Sequence, residues 1–107
     1  MYLNIWEFYV KTDLEKQFEQ ANGSAGEWYQ YFKRSPDFLG TGFLRGVDLL
    51  IEDKEEVRRY LTEDRWRSID GFRSYVKANP DKFQELSDIN DRLVVRNRYL
   101  GFFQSSF

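Results

Sequence analysis

The first apolar run along the chain, residues 2–10, reads Tyr-Leu-Asn-Ile-Trp-Glu-Phe-Tyr-Val. β-branched and aromatic residues in that density predict a strand. Alternation puts Tyr2, Asn4, Trp6, Phe8 and Val10 on one face, and Leu3, Ile5, Glu7 and Tyr9 on the other. The chain turns polar at Lys11-Thr12-Asp13. Thr12 and Glu15 have the spacing of a capping box, which predicts a helix whose apolar stripe is Leu14, Phe18 and Ala21. Asn22-Gly23-Ser24 closes it. A second amphipathic stretch over residues 27–33 puts Trp28, Tyr31 and Phe32 on one face and stops at Ser35-Pro36-Asp37. A second strand then spans residues 38–47.

Residues 48–56 turn acidic and read as a linker, and a third strand covers residues 57–66. Ser68 is a natural N-cap for a helix carrying Ile69, Phe72, Tyr75 and Val76 at spacings of three and four. Asn79-Pro80 restarts it, since Pro is tolerated in a first turn, and Phe83, Leu86, Ile89 and Leu93 continue the apolar face. The last strand spans residues 98–105. The order β-α-β, β-α-β over one domain of residues 1–107 predicts an α+β, ferredoxin-like split β-α-β fold. It has a four-stranded antiparallel sheet with the helices on one face. The second strands of the two halves echo one another, Phe38-Leu39-Gly40 against Tyr99-Leu100-Gly101.

A sheet covered on one face should alternate apolar and polar positions, and the first strand does not. Both of its faces are largely apolar. The last strand repeats this, with Tyr99, Gly101 and Phe103 on one side and Leu100 and Phe102 on the other. No element remains to cover the second face, so a second copy of the chain is expected there, as a homodimer.

Composition narrows the chemistry. In 107 residues, 16 Lys plus Arg oppose 18 Asp plus Glu, a net charge of -2 that gives no overall attraction for nucleic acid. Neither His nor Cys is present. That excludes His-based triads, Cys-His nucleophiles and thiolate zinc sites, and it argues for a protein without a metal or other cofactor. No run approaches a membrane span and no signal sequence precedes the first strand, so no membrane association and a cytoplasmic location are expected. What stands out is an aromatic fraction of 19%, which suits a pocket for a small apolar or aromatic ligand.

Several stretches together carry a family resemblance. They are the first strand leading through Val10-Lys11 into a Glu/Lys-rich helix, Glu27-Trp28, and Phe32-Lys33-Arg34-Ser35-Pro36-Asp37-Phe38-Leu39-Gly40-Thr41. The last is Tyr60-Leu61-Thr62 through Asp64-Arg65-Trp66-Arg67-Ser68 with Phe72 beyond. Across essentially the whole chain this resembles the antibiotic biosynthesis monooxygenase family of the dimeric α/β-barrel superfamily. The resemblance implies a homodimer whose two sheets close into a barrel, with a pocket between sheet and helices in each protomer. It implies a cofactor-independent monooxygenase acting on a small electron-rich aromatic or quinol-like molecule. The alternative is a non-catalytic, small-molecule-binding or stress-associated member of the same superfamily. The haem-degrading branch holds its cofactor through a helix histidine, which this chain lacks.

The resemblance places the first strand along the pocket, which assigns Asn4 and the indole N–H of Trp6 or Trp66 as catalytic oxyanion donors. Phe8, Trp28, Tyr31, Phe32, Arg45 and Asp64 are the expected substrate-binding residues. Arg45 or Arg65 would serve an anion, and Asp64 or Glu7 would be the general base. Plainer readings stand beside these. Trp66 with Phe72 also suits a packing pair at a strand-to-helix corner, Asn4 suits a group that satisfies its neighbours, and Trp28, Tyr31 and Phe32 suit the apolar face of a short helix. Gly40-Thr41-Gly42 lies within a strand, where glycine marks a bulge or a close backbone approach.

Overall fold

The computed structural model describes residues 1–106. Strand β1 (Tyr2–Lys11) passes through a single 3-10 turn, Thr12–Leu14, into α1 (Glu15–Asn22) and then α2 (Glu27–Phe32). Two long strands follow, β2 (Phe38–Glu52) and β3 (Glu55–Trp66). Then come α3 (Ile69–Ala78), α4 (Pro80–Leu93) and β4 (Val94–Gln104). The strands form one open antiparallel sheet in the order β2-β3-β1-β4, an α+β arrangement compatible with the ferredoxin-like expectation. Among the described residues no helix is long and apolar enough to cross a membrane.

Residues paired directly across antiparallel strands share a face. Asn4 faces Asp64, Trp6 faces Thr62 and Phe8 faces Tyr60, and this is the face on which the helices lie. The core there is divided. One cluster holds Phe8, Val10, Phe18, Tyr60 and Leu93; the other holds Tyr31, Phe32, Trp66 and Leu86, with Phe72 and Phe83 against it. The opposite face carries Leu3, Ile5, Glu7 and Tyr9.

The expected boundaries shift at three places, each for a local reason, and a fourth holds with a different cap. The capping box does not form: Leu14 stands at the N-cap of α1, and the Thr12 hydroxyl donates instead to Glu56 across the turn. The acidic stretch of residues 48–56 is not a linker. Leu49, Leu50 and Ile51 stay in β2, paired with Arg58, Val57 and Glu56, and the strands join through Asp53 and Lys54 at φ 48° and 66°. Two successive residues with positive φ make the tight turn that suits the twist of paired strands. Asn79 does interrupt the helices, with Pro80 opening α4, yet its side chain caps the helix behind it, donating to the Tyr75 carbonyl. Strand β4 begins at Val94, where pairing with Val10 already compensates the backbone. Ser68 caps α3 as expected, accepting from the Gly71 N–H at 2.9 Å.

The echo between Phe38-Leu39-Gly40 and Tyr99-Leu100-Gly101 is a repeated bulge. Leu39 and Leu100 are each skipped in the pairing, and the following glycines sit at φ 126° and 98°. Positive φ is where glycine, lacking a Cβ, is at home. The second bulge corrects the expected alternation of the last strand. Tyr99, opposite Trp6, and Phe102, opposite Asn4, both face the helices, whereas Phe103, opposite Leu3, faces the open side.

Candidate functional site

The divided core has a chemical cause. Along the helix-facing side of β1 the order is Asn4, Trp6, Phe8, and along β3 it is Asp64, Thr62, Tyr60, so polar groups interrupt the apolar surface in matched register. On α4, Asn90 stands between the core positions Leu86 and Leu93. Buried polar side chains cannot close against aliphatic ones without losing hydrogen bonds, and a space is left between the two clusters. It is a cavity of about 260 Å³. Since a cavity of about 150 Å³ admits a benzene ring, there is room for one or two aromatic rings.

Its walls are Trp6 and Phe8 from β1, Trp28 and Phe32 from α2, Phe72 from α3 and Phe83 from α4. Asn4, Thr62 and Asp64 form a polar strip on the sheet side, and Asn22 and Asn90 a second one on the helix side. The rim lies between α4 and β4, where Ser87 is half-buried and Asp91, Asn97 and Tyr99 are exposed.

The two asparagines of the helix side form a closed amide pair. Asn22 Nδ2 donates to Asn90 Oδ1 at 2.8 Å, Asn90 Nδ2 returns a bond to Asn22 Oδ1 at 2.9 Å, and Asn22 also donates to the Phe18 carbonyl. On the sheet side the Tyr99 hydroxyl donates to Asn4 Oδ1 at 2.6 Å. Tyr99 also packs on Trp6, with ring centroids 4.7 Å apart. Burial raises the Tyr99 hydroxyl above its ordinary range, more than the Arg73 charge lowers it.

Asp64 is the ionisable group of the inner wall. Although the residue as a whole is only half-buried, its carboxyl is withdrawn from bulk water, and that burial pushes its pKa up to about 7; the Thr41 hydroxyl, donating at 2.9 Å, acts in the opposite direction. The carboxyl thus changes charge near neutrality, which is where a general base is most effective. The Trp28 side chain lines the cavity, and its indole Nε1–H is buried without a partner among the described residues.

Six of the residues expected from sequence meet at this cavity: Asn4, Trp6, Phe8, Trp28, Phe32 and Asp64. Three do not. Trp66 is fully buried in the second cluster, with Phe32, Phe38 and Phe72 around it at 5.0 to 5.2 Å between centroids, which is the packing-pair reading. Its Nε1–H has no partner among the described residues. Tyr31 lies one helical step away from the cavity, its hydroxyl donating to the Asn79 carbonyl. Arg45 points to α1, bridging Glu15 at 3.1 Å and Glu19 at 3.6 Å. There it joins Arg58 and the Tyr60 hydroxyl: burial works to raise Glu15, but these three donors outweigh it and hold the carboxyl low. Glu7 lies on the open face, 3.5 Å from Arg98, and Arg65 is on that face too, opposite Leu3.

Sequence reading missed Thr62, Asn22, Asn90 and the rim residues. The signal was present in the polar positions inside apolar stripes on elements that face one another. Tyr99 was hidden by the bulge at Leu100, which reverses the side of the sheet it occupies.

No protein-family model matches this chain, and no curated protein matches it.

Proposed function

We propose that the cavity binds a small electron-rich phenol or quinol and promotes its oxygenation by dioxygen, with Asp64 as the base. The observation that carries this reading is the Asp64 carboxyl, poised at about 7 inside an aromatic cavity of ring dimensions. Removing the phenolic proton makes the ring an electron donor to dioxygen. The reaction then balances without an added reductant: a quinol and O₂ give a hydroxyquinone and water, all four electrons coming from the substrate. One oxygen atom enters the ring and the other leaves as water. The protein's part is to exclude bulk water, take the proton at Asp64, and present donors to the developing oxyanion from Asn4 and the indoles of Trp6 and Trp28. The likeness to the antibiotic biosynthesis monooxygenases supports the same reaction class.

The same likeness, together with the apolar open face of the sheet, supports a homodimer closed through those faces.

Oxygen consumption with a panel of hydroquinones and polyphenols tests the chemistry. Uptake above the buffer rate is expected for at least one compound, falling about 100-fold or more in Asp64→Asn, the usual range for loss of a general base. Ligand binding with no uptake for any compound would leave a carrier and remove the oxygenase reading.

A further inference from the structure

We infer that the cavity selects aromatic molecules carrying a protonated amine, the ring lying between the two aromatic clusters and the ammonium group at the rim beside Asp91. This rests on the cavity being a ligand site, as proposed above, and is independent of the oxidation step.

The argument is one of charge placement. The ionisable side chains lining the cavity are Asp64, Asp91 and Tyr99, all of them acids. The chain has 16 Lys plus Arg, yet none lines the cavity. Several are engaged elsewhere: Arg45 and Arg58 with Glu15, Arg98 with Glu7, Arg96 with Glu52, and Lys82 with Glu85. Arg73 acts on Tyr99 from outside, as an exposed residue that is not part of the lining.

An anionic ligand would meet carboxylates at both depths, inside at Asp64 and at the rim at Asp91. The Asn22 and Asn90 amides on the helix side are bonded to each other. A cation meets the reverse. Aromatic rings attract cations through their faces, and Tyr99 and Asp91 stand on facing elements at the mouth. Ser87 and Asp91, four residues apart on α4, present an acceptor pair on one side of the helix. A hydroxyl on the far end of the ring would then reach the inner wall, where Asp64 accepts its proton.

Calorimetric titration under air-free conditions with three phenols of one shape tests this: tyramine, 4-ethylphenol and 3-(4-hydroxyphenyl)propionate. Tyramine should bind at least about tenfold more tightly than the acid, with the neutral compound between them. Asp91→Asn should weaken tyramine several-fold and leave 4-ethylphenol unchanged; because Asp91 is exposed, the substitution does not threaten folding. The inference is overturned if the acid binds as well as the amine, if tyramine gains nothing over 4-ethylphenol, if none of the three binds, or if Asp91→Asn leaves the preference intact. The two readings fail separately. Amine selectivity without oxygen uptake would sink only the oxygenase, and oxygen uptake with a preference for acids would sink only this inference.

Discussion

At the scale of single residues, Asp64 sets a measurable pH dependence. Its pKa is raised from 3.8 to about 7, so between those values the folded chain holds a proton that the unfolded chain has lost. Stability therefore falls as pH rises through that window, with no penalty below the unfolded value and the full penalty above the folded one. Asp64→Asn keeps an acceptor for Thr41 and removes the charge. Its melting temperature should match the wild type near pH 4 and exceed it increasingly toward pH 7, then run parallel; a constant difference across this range would show that Asp64 does not titrate in the window. The Asn22–Asn90 pair makes a different demand. Both residues are buried, 3% and 6% exposed, so removing one leaves the other's amide unpaired. Asn90→Ala should cost about 1–3 kcal/mol in urea unfolding, whereas Asn22→Leu with Asn90→Leu should recover part of that, because no buried polar group is orphaned. Equal losses in the single and double variants would mean that the amides matter for shape alone.

Among the elements, the two bulges decide which side chains reach the cavity. Leu100 is skipped and Gly101 takes φ 98°, which turns Tyr99 toward Asn4 and Trp6. Gly101→Ala places a Cβ in that left-handed region, so a loss of about 1–3 kcal/mol is expected, with Tyr99 losing its hold on Asn4. The near-ultraviolet circular dichroism of the Trp6–Tyr99 contact should weaken with it; an unchanged spectrum and stability would mean that the strand absorbs the strain elsewhere. These bulges also mark the limit of what the sequence shows. The strands, the alternation along β1 and the Ser68 cap follow from local periodicity and capping, which act over a few residues. The six cavity residues, by contrast, were expected from the family resemblance, which places the first strand along a pocket. Leu49-Leu50-Ile51 looked like a linker because their neighbours Asp48, Asp53 and Glu55 are acidic, yet cross-strand pairing outweighs local polarity. Tyr99 was unreachable because alternation counts residues and a bulge inserts one. Trp66 and Arg45 were misplaced for a third reason, that partners distant in sequence, Phe72 for one and Glu15 for the other, set their directions.

For the whole molecule, the open face of the sheet is the structural demand that the helices leave unmet. One end of it is closed by the chain itself. The β2–β3 hairpin bends across the sheet so that Glu52 reaches Arg96 on the far edge at 3.0 Å, and the Arg96 guanidinium lies 3.8 Å over the Tyr9 ring. Tyr9 and Val57 are buried beneath it. The other end keeps Leu3, Ile5 and Leu61 half-buried, with Leu44 and Phe103 each 50% exposed. A second copy related by a two-fold axis would meet this patch with an identical one. Glu7, Arg98, Glu63 and Arg65 on the same face could then exchange partners across the axis. Because the axis duplicates every contact, a single substitution acts twice. Burying one Phe is worth about 1.5–3 kcal/mol, and Phe103→Asp would lose that contribution on both sides while placing two carboxylates in the interface. The wild type should sediment at twice 13.0 kDa at micromolar concentration and Phe103→Asp at 13.0 kDa. Phe103 is half exposed in the single chain, so the variant should keep its fold and its circular dichroism. A wild type that sediments at 13.0 kDa would remove the dimer from the proposal and leave the cavity, which one chain builds alone, untouched.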